Sequence, residues 1–204
     1  MTTLEIGTPF GPAKAHVTSA DEPRAALVLG HGAGGGVQAK DLVAVARVAH
    51  TVGLTVALVE QPYRVAGRRS PAPAHQLDAA WTAVIDDLLA GELRDLALVV
   101  GGRSSGARVA CRTAAATGAV GVLCLAFPLQ PPRRAGAAPA PSRLAELDAV
   151  PVPTLVVQGT GDRFGMPPAT ELRTVMRVAG DHSLRTDPGA VAEAARAWLS
   201  SLHV

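Results

Sequence analysis

Short apolar runs alternate with segments of helical period along this chain, and that alternation is what most restricts its fold. The runs are Ala25–Leu29, Leu54–Val59, Leu96–Val100, Val120–Phe127, Thr154–Val157 and Thr174–Val178. They are continuous and rich in Val and Leu, as strands covered on both faces are. Between them, Leu42, Val45, Ala46 and Ala49 share one helical face, with Gly53 as the stop. Leu77, Trp81, Val84 and Leu88 share another, ended by Gly91. Near the end, Val191, Ala194, Ala195, Trp198 and Leu202 line up, with Asp187 as N-cap and Pro188 as the first helical residue. Strands that alternate with helices build a parallel sheet covered on both faces. The expectation is an α/β fold with a mostly parallel sheet of about six to eight strands. Met1–Ala20 fits a small antiparallel addition that turns over Gly7–Pro12. No repeat or long linker divides the chain, so 1–204 reads as one domain with a large core.

Composition removes several classes. Hydrophobic content of 48% against 18% charged residues is that of a globular chain, not a disordered one. The net charge of +2, with 3% aromatics and no basic cluster on a helix, argues against nucleic acid as a partner. No apolar run reaches the ~18 residues of a membrane span. Met1–Ile6 lacks the basic start and apolar core of a signal peptide. Cys111 and Cys124 form no CxxC pair and read as buried free thiols of a reducing compartment, which points to the cytoplasm.

The chemistry gathers where apolar runs end. Gly102-Arg-Ser104-Ser-Gly106 lies between the run Leu96–Val100 and a helix-compatible stretch, Ala107–Thr117, closed by Gly118. Strand, Gly-x-Ser-x-Gly turn and helix form a nucleophile elbow, in which a strained turn exposes the serine hydroxyl at the sheet edge. Gly30-His-Gly-Ala-Gly-Gly-Gly36 follows the first core run, where backbone N–H groups can meet an oxyanion without a side chain in the way. Ala33, with Gly34 as the alternative, supplies one such N–H and Ser105 the other. His31 orients this loop, with Gly32 and Gly34 as its support. Asp162 lies in the loop after Thr154–Val157, and His182 in the loop after Thr174–Val178. Serine, aspartate and histidine in that chain order suit Ser104 as nucleophile, His182 as its base and Asp162 as the group that holds the imidazole. Asp181 is a rival acid, but a residue adjacent to the histidine rarely reaches its Nδ1. Asp148 precedes its strand, on the wrong edge.

A different class competes for the glycine loop. Gly30-x-Gly32-x-x-Gly35 also matches a dinucleotide fingerprint, and Glu60 ends the next strand where a ribose-binding acid belongs. Three successive glycines, Gly34–Gly36, weaken the helix start that such a site needs. That reading also leaves the elbow unexplained.

At this point the chain resembles a small α/β-hydrolase related to dienelactone hydrolase. It is most similar to the group typified by testis-expressed protein 30 and the hydrolase-like domain of NSL-complex subunit 3. The resemblance covers nearly the whole chain. It rests on His31-Gly-Ala-Gly-Gly35, Gln61-Pro-Tyr63, Gly101-Gly-Arg-Ser-Ser-Gly-Ala-Arg108, Phe127-Pro-Leu129, Val152–Gly159 with Asp162 and Phe164-Gly165, and Asp181-His-Ser183. It implies the α/β-hydrolase fold, a Ser104–His182–Asp162 triad and hydrolysis of a small ester or thioester through an acyl-enzyme. It implies no metal and no organic cofactor. Dienelactone hydrolases proper use a cysteine nucleophile where this chain has Ser104. Ser105 stands where the group has methionine, and Gln130 where relatives have histidine. The second functional reading is a non-catalytic scaffold that uses its loops to bind protein.

Two expectations concern access. Pro128–Val152 spans 25 residues, too few for a folded cap domain, so its proline-rich first part should wall a shallow site. Tyr63, Arg68, Arg69, Phe127, Gln130, Arg133 and Phe164 are the expected substrate-binding residues. With Arg64, Arg134 and Arg163, the arginines among them should make the mouth positive.

Overall fold

The computed structural model describes residues 1–131 and 140–203. Strands β1 (Thr2–Thr8) and β2 (Gly11–Thr18) open the chain, followed by β3 (Ala25–Gly30), α1 (Lys40–Thr51) and β4 (Leu54–Glu60). Then come α2 (Pro62–Val65), α3 (Ala74–Ala90), β5 (Leu98–Arg103), α4 (Ser105–Thr113) and β6 (Gly121–Leu125). The chain ends with α5 (Leu144–Asp148), β7 (Thr154–Gly159), β8 (Arg173–Val178) and α6 (Pro188–Ser201). They form one eight-stranded sheet in the order β1-β2-β4-β3-β5-β6-β7-β8. β2 runs antiparallel to β1 and to β4, and every pairing from β4 to β8 is parallel.

The continuous apolar runs are explained by the two faces they serve. Along β3, Leu27 and Leu29 join Leu42 and Val45 of α1 and Leu199 of α6 in one core. Ala26 and Val28 point the other way, to Trp81 and Val84 of α3 and Val109 of α4. Period-2 alternation thus divides one apolar run between two cores. β8 is one edge of the sheet and is only half covered, leaving Met176 exposed. The Asp187 carboxylate accepts from the Ala190 N–H at 2.9 Å and caps α6, with Pro188 first in the helix. Cys111 and Cys124 are free and buried, their sulfur atoms 3.4 Å apart. No helix among the described residues is long and apolar enough to cross a membrane.

Several boundaries differ from the sequence reading. β5 starts at Leu98 and continues through both glycines to Arg103, because Gly101 and Gly102 pair with β3 and β6 in register. β6 ends at Leu125, where Ala126 adopts φ +50°. The helix after the elbow starts at Ser105 and stops at Thr113, with a turn carrying the chain to Gly118. The hairpin turn is tighter than Gly7–Pro12, since Thr8 already pairs with Gly11. The chain leaves β3 toward β4 but leaves β5 toward β6. The connections therefore diverge at the carboxyl ends of β3 and β5, the kind of switch point at which open parallel sheets bind ligands.

Candidate active site

Ser104 sits between β5 and α4 with φ 52° and ψ −105°, a backbone conformation that L-residues rarely adopt. Its N–H donates to Leu125 O at 2.9 Å, which fixes the turn to the neighbouring strand. The flanking glycines permit the crossing. A Cβ on Gly102 would lie 2.5 Å from Gly30 O, and one on Gly106 would lie 2.8 Å from His31 O. Any side chain at either position would push β3 and α4 apart. Ser105 opens α4, so its N–H is one of the first-turn donors without an intrahelical acceptor.

Three loops bring the reactive groups together. His182 Nε2 lies 2.9 Å from Ser104 Oγ, and His182 Nδ1 lies 2.8 Å from Asp162 Oδ2. Read as Nδ1–H donating to the carboxylate, the imidazole leaves Nε2 free to accept from the serine hydroxyl. Asp162 Oδ2 also accepts from Gln158 Nε2 at 2.8 Å, and Oδ1 accepts from Phe164 N–H at 2.9 Å. The carboxylate is thus held on both oxygens. Phe164 packs against the His182 ring with centroids 4.4 Å apart and the planes tilted by 58°, and the Arg163 guanidinium lies 5.0 Å over Phe164. The rival acid Asp181 accepts from Ser183 N–H and Oγ instead, and Asp148 pairs with Arg173.

The glycine loop is held from beneath. Gln61 N–H donates to His31 Nε2 at 3.1 Å, so that nitrogen carries no proton. Nδ1–H then donates to Gly32 O at 2.8 Å. Holding the Gly32 carbonyl turns the Ala33 N–H, on the other side of the same peptide, away from His31. Burial pushes the His31 pKa below its ordinary value, with a smaller contribution from Arg64, which keeps the ring neutral. Tyr63 O–H donates to Ala33 O at 2.8 Å and fixes the next peptide. Burial pushes the Tyr63 phenol up to about 12, so it stays a donor. Gly32 packs against Arg103 and Ser104, and Gly34 is open to solvent.

Some expected pocket residues lie elsewhere. Phe127 is fully buried in the core and offers no surface to a substrate. Tyr63 is 2% exposed and faces the loop backbone, because α2 turns its ring inward against His31. Arg68 and Arg69 are exposed and line a hollow with Ser70, Pro73 and Gln76, and Arg64 donates to Arg68 O. Gln130 is exposed, its N–H donating to Phe164 O at 2.7 Å. Of the expected mouth residues, Phe164 does stand beside His182, with Arg163 over its ring. Arg133, Arg134 and the middle of the proline-rich segment lie outside the described residues. The dinucleotide reading does not fit: α1 begins only at Lys40, and Glu60 is taken by His16 at 2.7 Å.

Sequence reasoning missed Arg103, Asp41 and Gln158. Arg103 Nε donates to Asp41 Oδ2 at 2.9 Å, and its Nη2 donates to His182 O at 2.8 Å. Burial pushes the Asp41 carboxyl up, and the Arg103 guanidinium opposes this. The available signal was an acid beside Leu42 on the apolar side of α1 and an arginine inside the elbow itself.

The model of the family described as "alpha/beta hydrolase domain" matches residues 23–196. No curated protein matches the chain in sequence. Solved structures share its fold. Est1E from Butyrivibrio proteoclasticus superposes with TM-score 0.77 at 15% identity, covering 98% of each chain. XC6422 from Xanthomonas campestris, described as an α/β serine hydrolase without a lid, gives TM-score 0.71 at 20% identity over 98% of this chain and 96% of that one. Dienelactone hydrolase from Anabaena variabilis gives 0.73 at 16%, over 97% and 94%. The architecture is the α/β-hydrolase fold.

Proposed function

We propose that this chain, which belongs to the alpha/beta hydrolase domain family, is a single-domain serine hydrolase that cleaves small esters or thioesters through an acyl-enzyme. The observation that carries the reading is the unbroken relay Ser104 Oγ–His182 Nε2–Nδ1–Asp162 Oδ2, at 2.9 and 2.8 Å, on a serine with φ 52°. Ser104 Oγ attacks the carbonyl carbon while His182 Nε2 takes the hydroxyl proton. Asp162 keeps the proton on Nδ1 and stabilises the imidazolium that forms. The N–H groups of Ala33 and Ser105 receive the oxyanion, and they need no reorganisation because His31, Tyr63 and α4 already hold them. The imidazolium then protonates the leaving alcohol or thiol. Water, deprotonated by His182, releases the acid and restores Ser104.

The test is covalent labelling with a fluorophosphonate, alongside hydrolysis of p-nitrophenyl acetate and of an acyl thioester. Labelling at Ser104 with turnover of either substrate is expected. A folded protein that neither labels nor turns over would return the chain to the scaffold reading.

A further inference from the structure

Beside the elbow lies a groove of about 610 Å³ walled by Gly34, Gly35, Lys40, Arg103, Ser183 and Arg185. That is within the size range that holds a small ligand. Its walls come from the glycine loop, the first turn of α1, the elbow and the loop just past His182. It therefore touches every element that carries the proposed chemistry except the Asp162 loop. The lining is strongly cationic. Asp41 is the single acid on the wall among the described residues, and its carboxylate is buried and paired with Arg103 at 2.9 Å. Lys40 and Arg185 are exposed and enter no ion pair among the described residues. The two cations thus face the groove without a counter-charge. The N-cap residue of α1, Ala39, makes no side-chain hydrogen bond to the first turn, so that helix end also opens on the groove.

We propose that this groove seats an anionic group, a carboxylate or a phosphate, carried by the substrate whose ester or thioester bond Ser104 attacks. The proposal rests on the hydrolase reading above and puts the positive charge that meets substrate on Lys40 and Arg185, not on Arg68 and Arg69, which line a separate hollow. Arg103 links the two functions. The guanidinium that borders the groove also holds the His182 carbonyl, so an anion seated there lies against the loop that carries His182.

Matched ester pairs test the idea: phenyl acetate against 4-acetoxybenzoate, and phenyl butyrate against monophenyl succinate. The charged member of at least one pair should show kcat/KM about tenfold higher at low ionic strength, a gain that shrinks as salt rises. In Lys40→Ala/Arg185→Ala the preference should vanish while the neutral esters react as before. Equal rates within both pairs, or a preference that the double variant keeps, would overturn the proposal. A binding arm separates it from the hydrolase reading. Ser104→Ala protein is titrated calorimetrically with 4-acetoxybenzoate and monophenyl succinate, with and without the Lys40 and Arg185 changes. An affinity drop of about tenfold on removing the cations supports the groove, even in a protein that turns over no ester. No binding, or equal affinity, removes it. Turnover of phenyl acetate alone reads the hydrolase function.

Discussion

Arg103 Nη2 donates to the backbone carbonyl of His182 at 2.8 Å, so the residue before the proposed nucleophile holds the loop that carries its proposed base. The two are 79 residues apart in sequence. The guanidinium is fixed in turn by Asp41, whose side chain is 2% exposed. Elbow, base loop and α1 are thus tied at one point. With neutral phenyl acetate, which makes no use of the cationic groove, Arg103→Met should lower kcat about tenfold or more with little change in KM. It should also cost about 3 kcal/mol of stability, because the buried Asp41 carboxylate loses its cation. Arg103→Met/Asp41→Asn should recover much of that stability in denaturant melts and none of the kcat. Recovery of both would mean that Arg103 acts only through folding.

Ser104→Ala should abolish labelling and lower kcat by about 10³-fold or more without unfolding the protein. Ser105→Ala should remain active, because the role proposed for Ser105 is its backbone N–H. Its hydroxyl is dispensable in this scheme. A dead Ser105→Ala beside an active Ser104→Ala would place the elbow one residue on.

Core strands and the elbow were legible because their signals are local: apolar runs, glycine spacing and turn residues. The Asp162 and His182 positions followed from chain order and from their place after strands, and the structure brings both within hydrogen-bond reach of each other. Contacts that depend on the path of the chain were not legible. Nothing local to Asp41 says that its carboxylate points inward to meet an arginine 62 residues on. Gln158 reads as one more residue at a strand end, yet its amide reaches Asp162, Phe127 O and Gly165 O. Tyr63 and Phe127 follow strands that end at the site, so both looked like pocket walls. Which way their rings turned was set by α2 and by the backbone break at Ala126.

His31 gives the fold a defined acid limit. Its folded pKa lies below the ordinary 6.5 because it is buried, so the unfolded chain binds a proton more readily than the folded one. The contribution of His31 is therefore complete above about pH 6.5 and falls as pH drops below it, reaching its limit at the depressed folded value. Protonation would put a hydrogen on Nε2, which now accepts from Gln61 N–H. Denaturant melts at pH 7.5 and 5.5 should show wild type losing stability on acidification. His31→Asn should start less stable and lose less over the same interval. Parallel losses in the two proteins would show that His31 does not titrate there.

Tyr63→Phe separates a substrate contact from a backbone support. The sequence reading put Tyr63 on the pocket wall, and loss of a substrate contact raises KM. In the structure its hydroxyl instead donates to Ala33 O at 2.8 Å, at the peptide that follows the proposed oxyanion donor. Removing that hydroxyl leaves Ala33 O without its donor and lets the loop sample positions in which the Ala33 N–H points away from the reacting carbonyl. The oxyanion exists only after attack, so the loss should appear in kcat, about tenfold, with KM nearly constant. Stability should fall by about 1 kcal/mol, the net value of one hydrogen bond. The ring stays packed against His31 in the variant, which keeps the change from becoming a cavity mutation. A raised KM at unchanged kcat would return Tyr63 to the pocket wall. Unchanged kinetics with lowered stability would leave it a purely structural hydrogen bond.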